Sequence, residues 1–176
     1  MSKKAKKQAS MLGIVMGIVI LGLCAMTIAG ICVDEWAVVK VDSVIGSNET
    51  GISFKDFSDT LTELKDNGVD LSETDSLLPA MVGLGYLAVV IMACLALAYL
   101  LKMVLNFGLM RFIVGIGGIL TLAVGAALVG VSASYLSGSA DLIVVSGELT
   151  LGMGALLTSI GAIAGGVAAV VGVARK

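Results

Sequence analysis

The chain has 176 residues, 58% of them hydrophobic and 14% charged, with a formal net charge of −2 and no histidine. So apolar a composition excludes a water-soluble domain. Four stretches, residues 11–33, 79–101, 112–131 and 149–174, are long enough to cross a hydrocarbon core, and none contains Asp, Glu, Lys or Arg. Histidine and carboxylate side chains, the usual marks of proton relays and substrate paths, are thus missing from the apolar stretches. No acid, base and nucleophile set is apparent, and the chain is not expected to be an enzyme or to hold a metal or cofactor.

Residues 1–10 form a basic arm with Lys3, Lys4, Lys6 and Lys7, suited to lipid headgroups at the membrane surface. The run that follows is longer than the 7–15 apolar residues of a secretory signal peptide, so 11–33 is expected to remain as the first span. It carries Gly13 and Gly17 four residues apart, followed by Gly22 and Gly30.

Residues 34–78 hold eleven acidic side chains against Lys40, Lys55 and Lys65. Trp36 to Val44, rich in Val, reads as a strand, and Gly46 to Gly51 as a turn, with a return strand near Ile52 to Phe54. Ser53 is placed to cap a short helix whose Phe54, Phe57, Leu61 and Leu64 recur at steps of three or four. Its acidic face, with Asp59 and Glu63, is the candidate partner contact. Trp36, just past the first span, is the candidate anchor of the loop, because indole favours the water boundary, where its N–H still finds a partner. Asn48-Glu49-Thr50 matches the N-glycosylation acceptor pattern.

Asn67-Gly68 ends the helix, and Pro79 falls in the first turn of the second span, 79–101. Residues 102–111 make a short turn, 112–131 the third span, and 132–148 a second loop on the acidic side. In that loop Leu142-Ile143-Val144-Val145 reads as a strand able to join the first loop's sheet. The fourth span, 149–174, carries two rows of small residues: Gly161, Gly165 and Ala169, and beside them Gly154, Thr158, Ala162 and Gly166. Such rows let helix backbones approach closely, within one chain or between chains.

Lys3, Lys4, Lys6, Lys7, Lys102, Arg111, Arg175 and Lys176 all lie before the first span, between the second and third, or after the fourth, in segments without an acid. The positive-inside rule therefore puts both termini and the middle turn in the cytoplasm, with 34–78 and 132–148 outside, in a plasma membrane protein. Cys24, Cys32 and Cys94 fall within or beside spans, so no disulfide framework is expected. The expected fold is an all-α membrane protein, a four-transmembrane-helix bundle with a small extracellular β-rich cap.

Two functional classes remain. One is a structural or accessory protein acting through helix and loop contacts with a second copy or another membrane protein, and with no role for nucleic acid. The other is a channel or transporter subunit with a path between protomers, for which Thr27, Tyr86, Tyr99, Thr121, Thr158 and Ser159 are the available lining. Polar residues aligned on an outward face would favour the path, and an apolar outward face would favour packing partners.

The layout resembles the claudin-type tetraspan superfamily: four spans, both ends inside, a larger first outer loop with strands and a shorter second one. Trp36 soon after the first span, Val38 two residues later and Ile45-Gly46-Ser47-Asn48 beyond it are similar to claudin first loops. The family's Gly-Leu-Trp signature and paired cysteines are absent, since no cysteine occurs between Val33 and Ala93. The resemblance implies shape and an assembly role, and it transfers no barrier or pore residues.

Overall fold

The computed structural model describes residues 3–43, 46–68, 77–105, 108–137, 141–142 and 145–174. Five helices and four strands follow in the order α1 (Lys3–Cys32), β1 (Ala37–Ser43), β2 (Gly46–Ile52), α2 (Phe54–Asp66), α3 (Leu77–Leu105), α4 (Gly108–Ser137), β3 (Asp141–Leu142), β4 (Val145–Leu151) and α5 (Met153–Ala174). Within α1, α3, α4 and α5, the segments Met11–Cys32, Leu77–Val104, Gly108–Tyr135 and Met153–Ala174 are long and apolar enough to cross a membrane. A hydrocarbon core offers no water to backbone N–H and C=O groups, so helices, which satisfy them internally, are the form these stretches take. The protein is a multi-pass membrane protein, a four-helix bundle with a small sheet at one end.

α5 packs along both α1 and α4, while α3 bridges α1 and α4 on the other side. Its composition explains the place. Gly and Ala let neighbours approach, and 44% of its most apolar window is buried, against 28% for α1 and for α3. The remaining surface of the spans is apolar and faces outward, with Ile18, Val90, Leu97, Ile119 and Ile160 all more than half exposed.

The cap is an antiparallel sheet in the order β2-β1-β4-β3. Ala37 lies opposite Ile52 on one side and Leu151 on the other, whereas Lys40 pairs with Glu49 and Glu148. The alternation puts Ala37 in the core and the Lys40 side chain in water, where its ammonium meets Glu49 at 2.8 Å. Exposed on both sides, that pair adds little stability.

The second and third helices run past the expected spans, Leu77–Leu105 against 79–101 and Gly108–Ser137 against 112–131, so most of the expected turn 102–111 is helix, and the cap's boundaries differ as well. Residues 46–51, expected as a turn, are strand, because Ser43 stands opposite Gly46 and the connection falls at 44–45, outside the described residues. The second loop's strand is Val145–Leu151 and pairs with β1; Ile143 and Val144 lie outside the described residues. The fourth span consequently opens at Met153, not at 149. β-branched and apolar residues at 149–151 serve a strand as well as a span, and composition alone does not divide them.

α2 is fixed at its start by a reciprocal cap. The Asp56 N–H donates to Ser53 Oγ (3.2 Å), while the Ser53 N–H and O–H donate to the Asp56 carboxylate at 2.9 and 2.8 Å. It closes at Asn67, and Gly68 takes φ +70, a left-handed conformation that glycine adopts without strain. The side-chain bond from Ser53, then its backbone bond, hold the Asp56 carboxyl below the ordinary carboxylate range, with Lys55 adding to the effect. A depressed folded value means that the contribution is present above the unfolded value of about 3.9 and is lost as pH falls through the lower folded one. Proteolysis within α2 should therefore rise as pH drops below about 4. The Asp56→Asn protein should lack that step.

Candidate interaction site

The cap is seated on the bundle by aromatic side chains. Trp36 is fully buried. Its N–H donates to the Ile52 carbonyl at 2.8 Å and its carbonyl accepts from the Gly152 N–H at 2.9 Å, so one residue ties β2, β1 and the start of α5. The indole lies 4.6 Å, centroid to centroid, from the Phe54 ring, which meets Tyr86 of α3 edge-on at 5.1 Å. Phe57 meets Tyr135 of α4 edge-on at 6.0 Å. Offset and edge-on pairs at such distances add to the stabilisation from burial alone. Phe54 rests on Gly85, where an added Cβ would come within 2.6 Å of the ring. Contrary to the sequence expectation, the Trp36 Nε1–H has no hydrogen-bond partner among the described residues. Burial and stacking, not a polar tip, hold this ring.

The small residues of α5 face three neighbours. Gly154, Thr158, Gly161 and Gly165 turn toward α1 and α3. A Cβ at Gly154 would lie 2.6 Å from the Gly30 carbonyl oxygen; one at Gly161 would strike the Thr27 hydroxyl and lie 3.0 Å from the Leu23 carbonyl oxygen. At Gly165 it would strike Met92. The Thr158 hydroxyl lies 3.0 Å from the Gly154 carbonyl and 3.3 Å from the Thr27 carbonyl across the seam. Gly166 instead faces α4, with Leu122 N only 2.8 Å from an added Cβ, and Ala162 and Ala169 share that side against Gly125 and Gly118. The straight four-residue rows read from sequence are thus regrouped. Steps of four, three and four keep a seam against a neighbouring helix, as in coiled packing, whereas a strict step of four drifts round the helix.

On α1, an added Cβ at Gly17 would meet Met103 Sδ at 3.1 Å, but at Gly13 it would meet nothing within 4 Å. The closest approach on α1 is at Gly30, named in the sequence without a partner, where the backbone of α5 stands 2.6 Å from an added Cβ. Its spacing of thirteen from Gly17 fits no four-residue row. Gly118 and Gly125, seven apart on α4, take these contacts from α5.

At the end of the bundle away from the cap, the Lys102 ammonium donates to the Gly172 carbonyl at 3.1 Å and sits 4.7 Å from the centre of the Tyr99 ring. The Tyr99 hydroxyl reaches the Gly13 carbonyl at 3.4 Å. One side-chain pair thus links α3 to α1 and to the last turn of α5, whose carbonyls favour a cation.

Two surfaces remain for other molecules. Asp59 and Glu63 are exposed on α2, opposite its buried Phe54, Phe57 and Leu61. The outward faces of the spans are apolar. Five of the six candidate lining residues point the other way, Thr27, Thr121 and Thr158 with no exposure, Tyr99 with 2% and Ser159 with 3%, while Tyr86 is half exposed. Among the described residues no three His, Cys, Asp or Glu side chains gather as a metal site. Neither the protein-family models nor the curated protein sequences match this chain, so function is read from the geometry itself.

Proposed function

We propose that the chain is a non-catalytic, structural or accessory membrane protein that acts through contacts of its cap and its outward helix faces with a second copy or another membrane protein. The inward position of Thr27, Tyr99, Thr121, Thr158 and Ser159 carries this reading, because a path between protomers needs polar groups on the outside of each bundle. Intrachain use of Gly154, Gly161, Gly165 and Gly166 narrows the surface available to partners to the cap and the lipid-facing sides. The charge segregation supports a plasma membrane orientation with the termini in the cytoplasm and the cap outside. A claudin-type assembly role is compatible with the four spans and the paired loop strands.

One experiment addresses orientation and contact together. A membrane-impermeant amine cross-linker added to intact cells should join caps, or cap and partner, through Lys55 and Lys65, both exposed on α2. Asp59→Asn with Glu63→Gln should reduce the product and its dependence on salt, leaving the amount of folded protein unchanged. Labelling only in inverted vesicles would reverse the orientation. Labelled but uncross-linked protein at native density would remove the contact role.

A further inference from the structure

We propose that Arg111 and the apolar side chains around it bind one phospholipid, with preference for an anionic headgroup, in the leaflet at the end of the bundle away from the cap. The inference rests on the membrane placement of the four spans and is independent of the contact role.

Arg111 is the fourth residue of α4 and is exposed. Every Asp and Glu of the chain falls in residues 34–75 or 141–148, in the two segments that join spans at the cap end, so no Asp or Glu among the described residues stands at the Arg111 end. Lys102, at the same end, already gives its ammonium to the Gly172 carbonyl and the Tyr99 ring. Of this pair, Arg111 is the cation with no anionic side chain beside it among the described residues, open to an outside anion.

Its surroundings decide which anion. Phe112, its neighbour along α4, is 68% exposed, and Ile116, one turn further on, is 52% exposed. A free phosphate would gain only the guanidinium. A phospholipid gains both parts, its phosphodiester on the planar fork of N–H donors and its acyl chains along Phe112 and Ile116. Long cationic side chains rise to the headgroup level while their stems lie on apolar surface, which is the arrangement this sequence order produces.

The test is native mass spectrometry of the full chain purified in mild detergent, with phosphatidylglycerol or phosphatidylcholine added in turn. Wild type should retain phosphatidylglycerol preferentially, and Arg111→Gln should lower that retention about fivefold, to the phosphatidylcholine level. Arg111→Lys, which keeps the charge but loses the fork, should fall between them. Lys55→Gln on the cap should match wild type, and soluble glycerol phosphate should not displace the lipid. Equal retention by wild type, Arg111→Gln and Arg111→Lys would overturn the proposal. So would displacement by glycerol phosphate, which would make the site one for a free anion. Loss of cross-linked partner in Arg111→Gln with unchanged lipid retention would assign the guanidinium to a protein carboxylate instead.

Discussion

Gly161→Ala should lower the thermal stability of the detergent-purified protein by about 1–3 kcal/mol, although alanine is the better helix former. The added methyl would meet the Thr27 hydroxyl and the α1 backbone, with the Leu23 carbonyl oxygen and the Thr27 nitrogen both at 3.0 Å. Backbone of a packed helix cannot move aside as a flexible side chain can. Gly30→Ala should do the same from the other side, because its Cβ would lie 2.6 Å from Thr158 N and 2.7 Å from the Gly154 carbonyl oxygen. The sharp contrast is Gly22→Ala on the same helix as Gly30. Nothing stands within 4 Å of an added Cβ there, so this variant should melt at or above the wild-type temperature. Circular dichroism melts of the three proteins in one detergent measure the order. Equal melting temperatures would mean that α1 and α5 do not approach as described.

Trp36→Ala should loosen the whole cap, with a loss of about 3–5 kcal/mol, the usual range for deleting a fully buried large aromatic. The indole is the contact between the sheet and Phe54, and Phe54 in turn occupies the groove at Gly85. Limited proteolysis should therefore cut within β1, β2 and α2 in the variant and spare the spans. Trp36→Phe should be far milder than is usual for a buried tryptophan, since the indole N–H makes no hydrogen bond among the described residues. A Trp36→Ala protein as protease-resistant as wild type would remove the anchoring role.

The spans were legible because four uncharged apolar runs leave only helices in a membrane, and the α2 helix because Ser53 and the Phe54, Phe57, Leu61 stripe encode its start and its buried face; the part of Asp56 in the cap was not read. The sheet was half legible. Val-rich β1 declared itself, but Gly46 to Gly51 is polar and glycine-containing and reads as turn, although pairing with β1 makes it an edge strand. Tertiary pairing there outweighs local preference. On α5 the small residues were visible and their partners were not. Whether Gly161 groups with Gly165 and Ala169, or with Thr158 and Gly154, depends on how neighbouring helices cross, which spacing within one helix does not determine. Gly13 has the same four-residue spacing to Gly17 that marks a packing row, yet it is open, because α3 reaches α1 at Gly17 through Tyr99 and Met103.

The central claim is that the side chains of Thr27, Tyr99, Thr121, Thr158 and Ser159 are sealed inside each bundle, as the proposed contact role requires. Substituted-cysteine labelling tests it most directly, with Thr121→Cys and Thr158→Cys placed in a chain whose Cys24, Cys32 and Cys94 are replaced by Ala, and exposed Thr150→Cys on β4 as the reference. In intact membranes a water-soluble maleimide should modify Thr150→Cys and leave the other two untouched until the protein is unfolded. Modification of Thr121→Cys or Thr158→Cys at the rate of Thr150→Cys would place water inside the bundle and contradict the account.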